Sequence, residues 1–200
     1  MSRQPKVALD WSRDGRFLLY ATQDPQTRSD LWALPIGADA KPVSDAKPVS
    51  IVQTQFDETQ GQFSPDARWV AYTSNESGRD EVYVRPFPDA GGKWQLSTGG
   101  GSQPRWRPDG KELFYIATDA RLMAVPIAAA PQERTVTVGT PVPLFTMRLA
   151  TGPGISLTGY QSRALYAVTT DGRFLMNATI EADRQSPIIL VQNWQQLLKK

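Results

Sequence analysis

The amino-acid sequence predicts an all-β protein, a β-propeller of four consecutive four-stranded antiparallel blades, and three observations carry that reading. A turn pattern recurs four times, a short apolar strand follows each copy at a similar distance, and the runs between are apolar on both strand faces. The turn pattern appears as Trp11-Ser12-Arg13-Asp14-Gly15-Arg16-Phe17 and as Phe63-Ser64-Pro65-Asp66-Ala67-Arg68-Trp69. It returns as Trp106-Arg107-Pro108-Asp109-Gly110-Lys111-Glu112, and in a more worn form as Val168-Thr169-Thr170-Asp171-Gly172-Arg173-Phe174. The aligned aspartates are 52, 43 and 62 residues apart, which fits a blade of roughly 40–50 residues with loop insertions.

The strand that follows begins 17, 16, 13 and 17 residues after each aspartate. Its four copies are Leu31-Trp32-Ala33-Leu34, Val82-Tyr83-Val84-Arg85, Leu122-Met123-Ala124-Val125 and Ile188-Ile189-Leu190-Val191. Runs such as Phe17-Leu18-Leu19-Tyr20 are too short for helices and need cover on both faces. Radially stacked sheets supply that cover, whereas a sandwich would show cleaner alternation.

Inner strands are expected near Val7–Trp11, Glu58–Phe63, Ser102–Trp106 and Ala164–Thr169. Second strands are expected at Phe17–Ala21, Trp69–Thr73, Glu112–Ala117 and Arg173–Ala178. Outer strands fall at Val49–Gln53, Lys93–Ser97 and Pro143–Thr146, and the last blade has none. The blades run approximately over 1–54, 55–100, 101–148 and 149–200, as one incomplete propeller domain. A short C-terminal helix is expected over Asn193–Lys200. The tandem hexapeptide Asp39–Ser44 and Asp45–Ser50 reads as a duplication within a surface loop, where insertions cost little.

The turns have a chemical logic. Ser or Thr at the first position can bond a backbone amide, Pro presets φ, and the Gly after Asp accepts a positive φ. Ala67 breaks the rule and should be strained if its φ is positive.

Composition narrows the chemistry. The 200 residues contain no cysteine and no histidine, which removes thiol nucleophiles, thiolate zinc sites, imidazole bases and Ser-His-Asp triads. Lys plus Arg number 22 against 20 Asp plus Glu, with the signs interleaved, so no basic stripe points to nucleic acid. Gly99-Gly100-Gly101 lacks a following Lys-Ser/Thr and reads as a flexible connection between blades. The pairs Asp57-Glu58 and Asp80-Glu81 point to opposite strand faces and read as solvated charges rather than a metal or acid/base site. Arg105-Trp106-Arg107 places its Trp at the aromatic repeat position, where core packing explains it better than base stacking. No cofactor or metal is implied. The candidate recognition surface is the polar loop Ser74–Asp80, with Asn75, Glu76, Arg79 and Asp80 as candidate binding residues. A plain solvated hairpin is the alternative.

These repeats resemble the WD-like propeller repeats of the TolB and Tricorn type. The chain also resembles the C-terminal propeller region of bacterial serine/threonine protein kinases. That resemblance rests on Asp30–Pro35, Phe63–Pro86, Gly99–Trp106, Lys111–Tyr115 and the ending Val191-Gln192-Asn193-Trp194. It implies a protein- or ligand-binding, sensing module of a larger membrane-anchored kinase, with further blades upstream. The kinase's own Gly-rich loop, His-Arg-Asp and Asp-Phe-Gly elements are not in this sequence, so kinase activity is not carried over. An alternative is the propeller accessory domain of a prolyl-oligopeptidase-like peptidase. The sequence shows neither an apolar leader nor a membrane-length apolar run, which implies the cytoplasm for the chain alone and an extracytoplasmic place within such a kinase. Open blade edges would permit self-association.

Overall fold

The computed structural model describes residues 4–89, 91–130, 135–148, 164–177 and 188–191. Among them every regular element is a strand. The first blade contains β1 (Lys6–Trp11), β2 (Phe17–Asp24), β3 (Arg28–Pro35) and β4 (Val49–Val52), paired in sequence order. The second contains β5 (Glu58–Phe63), β6 (Trp69–Ser74), β7 (Glu81–Pro86) and the short β8 (Trp94–Gln95). The third contains β9 (Gly101–Trp106), β10 (Glu112–Ala117), β11 (Arg121–Ala130), β12 (Thr135–Val138) and β13 (Val142–Thr146). The fourth is three-stranded among the described residues, with β14 (Tyr166–Val168), β15 (Phe174–Asn177) and β16 (Ile188–Val191). The helix expected over Asn193–Lys200 lies outside the described residues.

The third blade departs from expectation at its outer edge. Its outer strand was expected at Pro143–Thr146 alone, but Ala130 pairs with Thr135, Ile127 with Val138, Ala124 with Val142 and Arg121 with Thr146. β12 and β13 therefore continue one antiparallel line along β11, interrupted near Gly139. Gly139 N–H still donates to the Pro126 carbonyl at 2.8 Å. The alternation of Thr135-Val136-Thr137-Val138 carries this strand, and Val136 is buried against the second blade.

The recurring pattern folds as one repeated turn. Ser12 N–H donates to the Phe17 carbonyl, and Gly15 N–H returns to the Ser12 carbonyl at 2.8 Å. Ser64 and Ala67 reproduce the second bond at 2.9 Å, as do Arg107 with Gly110 and Thr169 with Gly172. The hydroxyls of Ser12 and Ser64 accept the Phe17 and Trp69 N–H groups at 2.9 and 3.0 Å. They donate in turn to Asp14 and Asp66 at 2.7 and 2.6 Å. Gly15, Gly110 and Gly172 have φ between 75° and 79°, and Ala67 is held at 54° in the equivalent position.

Adjacent residues of one strand serve adjacent interfaces. Val70 and Tyr72 face the first blade, where they pack with Leu19, Leu31 and Phe63, while Trp69 and Ala71 face the third with Leu113 and Val125. In β10, Leu113 and Tyr115 face back, and Phe114 and Ile116 face forward onto Tyr166 and Phe174 of the fourth blade. Burial on both faces is the signature of stacked blades, and it explains the doubly apolar strands.

The inner strands are bound to one another by side chains. Asp10 Oδ2 accepts Phe63 N–H at 2.8 Å, and Gln62 Oε1 accepts Trp106 N–H at 2.7 Å. One pleat away, Gln60 Oε1 accepts Gln103 N–H at 2.7 Å, and Gln103 Oε1 accepts Leu165 N–H at 2.8 Å. Gln60 and Gln103 occupy the same repeat position and both have φ of 56°, at irregularities in the pairing of β5 and β9. These bulges aim the amides at the next blade. Gly61 beside the first bulge allows close approach, since a Cβ there would lie 2.8 Å from Leu19 Cδ2.

Two stability outcomes follow from this geometry. Ala67→Gly should stabilise the chain by about 1 kcal/mol, because a left-handed residue loses its Cβ clash; a lower urea midpoint would contradict it. Gln103→Ala should destabilise by roughly 1–3 kcal/mol, since Leu165 N–H loses its acceptor in a buried site. Gln103→Gly should cost less than Gln103→Ala, because glycine also relieves the positive φ. The comparison of unfolding midpoints checks the order.

Candidate functional site

The β6–β7 hairpin rises at the end of the second blade opposite the repeat turn. Gly78 has φ of 90°, and its N–H closes a turn onto the Asn75 carbonyl at 2.9 Å. The four candidate residues divide by role. Asn75 Oδ1 accepts Asp57 N–H at 3.0 Å while its amide donates to Asp57 Oδ2 at 3.1 Å, so it fastens the hairpin to the link entering the blade. Glu76 pairs with Lys93, whose ammonium also lies 5.5 Å from the centre of the Tyr83 ring. The Asp80 carbonyl accepts Gly101 N–H at 2.9 Å. Arg79 projects most freely, with its side chain 65% exposed and 4.0 Å from Glu81. A fixed base thus presents Arg79, with Lys93 held on Glu76 and Arg28 paired with Asp57 at 3.0 Å as further cations.

Two sequence readings are corrected here. Glu58 and Glu81 were expected to be solvated, yet both are buried. Glu81 accepts Gly100 N–H at 2.8 Å and the Ser97 hydroxyl, thereby holding the link between the second and third blades. The Gly99–Gly101 run was expected to be a flexible connection, but Gly100 and Gly101 are buried and tightly opposed. A Cβ on Gly100 would stand 2.3 Å from Thr118 Cγ2, and one on Gly101 would stand 2.6 Å from Ser97 Oγ. Close packing against Thr118 and Ser97, together with the φ of 94° at Gly100, rather than flexibility, requires these glycines.

Glu58 takes the Thr54 hydroxyl at 2.6 Å and the Ser74 hydroxyl at 3.4 Å on Oε1. Its Oε2 finds no partner among the described residues, and neither does Oδ1 of buried Asp30. Burial pushes the Glu58 carboxyl up to about 7, with Asp30 and Glu76 adding to the rise and the Thr54 and Ser74 hydroxyls opposing it. Burial also raises Asp30, against the hydroxyl bond from Thr27. No group of three or more potential metal ligands gathers among the described residues. Sequence reasoning missed these carboxylates. The available signal was an acidic residue directly before the apolar run of the third strand in the first two blades, Asp30 before Leu31 and Glu81 before Val82.

Arg105 and Arg107 do not form a stacking platform with Trp106. Trp106 is buried in the interface between the second and third blades, and Arg107 pairs with Glu112 at 2.8 Å. Among the described residues no helix is long and apolar enough to cross a membrane.

These sheets define a β-propeller protein of TolB-like fold. TolB from Acinetobacter baumannii superposes with a TM-score of 0.61 at 14% identity, over 94% of this chain and 41% of that one. A puromycin-hydrolysing peptidase from Mycobacterium tuberculosis gives 0.60 at 18% identity, over 86% of this chain and 28% of that one. A putative TolB from Agrobacterium tumefaciens gives 0.54 at 18% identity, over 74% of this chain and 51% of that one. This chain thus spans about half or less of each of these proteins. No family model matches the sequence, and no curated protein matches it.

The buried carboxyl sets a pH dependence. Glu58 keeps in the folded state a proton that the unfolded chain releases near 4.5, so its contribution to stability is present below that pH and declines as pH rises to about 7. Glu58→Gln should flatten that window and raise stability above neutrality by roughly 3 kcal/mol. Urea midpoints across pH check it, and an unchanged slope would contradict it.

Proposed function

We propose that this chain is a non-catalytic recognition module, the sensing part of a larger signalling protein such as a membrane-anchored serine/threonine kinase. The single observation that carries the reading is the β6–β7 hairpin. Its base is fixed by Asn75 on Asp57 and Glu76 on Lys93, and it holds Arg79 out to solvent. A guanidinium on a preorganised base loses little freedom on binding, which suits carboxylate recognition on a partner. Asp80 lies at the foot of the same hairpin and supports it through its backbone. The kinase parent rests on the sequence resemblance alone. In such a parent the module would lie outside the cytoplasm.

The second reading is a propeller accessory domain of a peptidase. The peptidase among the solved structures of like fold favours it to the extent that this architecture occurs beside a hydrolase. The two readings require different neighbours in the coding frame. A kinase Gly-rich loop, His-Arg-Asp element and membrane helix support the first. A Gly-x-Ser-x-Gly elbow with a downstream His would replace it with the second.

The recognition surface has its own test. A photocrosslinking residue at Arg79 should give a discrete adduct in cells, whereas the same residue at the exposed Lys41 should not. Equal labelling at both positions, or none at Arg79, would overturn the hairpin's role.

A further inference from the structure

The link between the first two blades carries one buried carboxyl more than its closure requires. Asp30 and Glu81 hold the same place, each directly before the apolar run of its third strand. At the second link Glu81 closes the junction alone, with one oxygen on Gly100 N–H at 2.8 Å and the other on the Ser97 hydroxyl. β9 then opens with Gly101, whereas β5 opens with Glu58. Glu58 is 0% exposed and Asp30 1%, and each keeps one oxygen without a hydrogen-bond partner among the described residues. Thr54 stands between them: its hydroxyl donates to Glu58 at 2.6 Å, and its backbone N–H faces the Asp30 carboxyl.

No cation offsets this pair among the described residues. Arg28 is paired with Asp57, and Lys93 with Glu76. The other groups that face the pair are acidic or neutral. Asp24 acts on Asp30 from the β2–β3 turn, Glu76 acts on Glu58 from the hairpin, and the buried Tyr72 phenol faces Glu58 from β6, with Arg85 acting on that phenol. The donors are the hydroxyls of Thr27 on Asp30 and of Thr54 and Ser74 on Glu58. Two carboxylates desolvated together without a cation do not both stay ionised; one of them keeps a proton.

The same residues fasten the β6–β7 hairpin. Glu58 lies opposite Ser74 in the β5–β6 pairing, and the Ser74 hydroxyl that donates to Glu58 at 3.4 Å accepts Glu76 N–H at 3.3 Å. Asp57, next in the chain, holds Asn75 through two hydrogen bonds. Loss of the proton leaves a charged Glu58 between Asp30 and Glu76, and parting the 54–57 link from the hairpin lets water reach that charge. We propose that Asp30 and Glu58 hold one proton between them and that this proton latches the Ser74–Asp80 hairpin, keeping it closed in mildly acidic solution and loosening it above neutrality. Control of partner binding by the latch rests on the recognition role of the hairpin; the latch itself does not.

The full chain alone, labelled with ¹³C and ¹⁵N, provides the test. The Glu58 carboxyl signal should titrate near pH 7. Asp57 N–H and Gly78 N–H, both bonded to Asn75, should lose about tenfold in hydrogen-exchange protection between pH 6 and pH 8 after correction for intrinsic rates, as release of one proton on opening requires. Gly110 N–H, which closes a repeat turn on Arg107 at 2.9 Å, should keep its protection. Asp30→Asn keeps Glu58 titratable and should lower its midpoint and that of the hairpin step together. Glu58→Gln should remove the step while the amide spectrum stays folded. A Glu58 signal that titrates near pH 4.5, a hairpin step that survives Glu58→Gln, or an equal loss at Gly110 would overturn the latch. An Arg79 adduct of equal yield at pH 6 and pH 8 would leave the latch standing and overturn its control of binding.

Discussion

Neighbouring blades are joined by side-chain oxygens that accept backbone N–H groups across the gap between inner strands, and the arc depends on that bond. Asp10 reaches Phe63, Gln62 reaches Trp106, Gln60 reaches Gln103, and Gln103 reaches Leu165. Inner strands converge near the propeller axis, where their axis-facing edges have no further strand to satisfy them. An unpaired amide buried there would cost more than the net gain of an ordinary hydrogen bond. Glutamine supplies the reach, and a positive φ at Gln60 and Gln103 supplies the direction. The strain is tolerated because each amide then closes two blades at once, Gln60 also taking the Thr73 hydroxyl at 2.9 Å.

With the blades held at that spacing, the apolar interfaces organise themselves around aromatic contacts. Phe17 and Phe63 close on Phe87 between the first two blades, at 4.8 and 5.0 Å between ring centres. Phe114 meets Phe174 edge-on at 4.9 Å between the third and fourth. Between the second and third blades Trp69 and Trp106 are both buried, and Trp69 meets Trp94 edge-on at 5.8 Å between ring centres. The three interfaces share one architecture and differ in which aromatic residues fill it. Function in repeat folds commonly resides in such departures from the repeat.

Most of the strand plan was legible because the repeat is written in turn chemistry. Gly15, Gly110 and Gly172, with Ser12, Ser64 and Thr169, mark the start of each second strand without reference to the rest of the chain. Glu58–Phe63 and Glu112–Ala117 begin and end at the expected residues. The outer edge was less legible, since β12 and β13 form one line only because β11 is long enough to support both. The hairpin Ser74–Asp80 could be located from sequence, but the division of labour within it could not. Asn75 and Arg79 are both polar loop residues, and only the position of Asp57 makes one a fastener and leaves the other free.

The twin hexapeptides show the boundary between the two kinds of information. Asp39–Ser44 and Asp45–Ser50 are identical, yet the left-handed residue is Ala40 in the first and Asp45 in the second. Val43 is 44% exposed, whereas Val49 begins β4 and packs against the core of the first interface. Local preference is the same for both copies, so the choice comes from β3: the first copy meets only its end, where Val43 N–H donates to the Pro35 carbonyl at 3.1 Å and Pro42 bridges Ile36, whereas the second runs along it with Val49 opposite Ala33. The sequence by itself determined the repeat, its turns, the doubly covered strands and the absence of histidine and cysteine chemistry. The tertiary structure decided which carboxylates are buried, which glycines are crowded and which indoles lack partners, because each depends on atoms contributed by the adjacent blade.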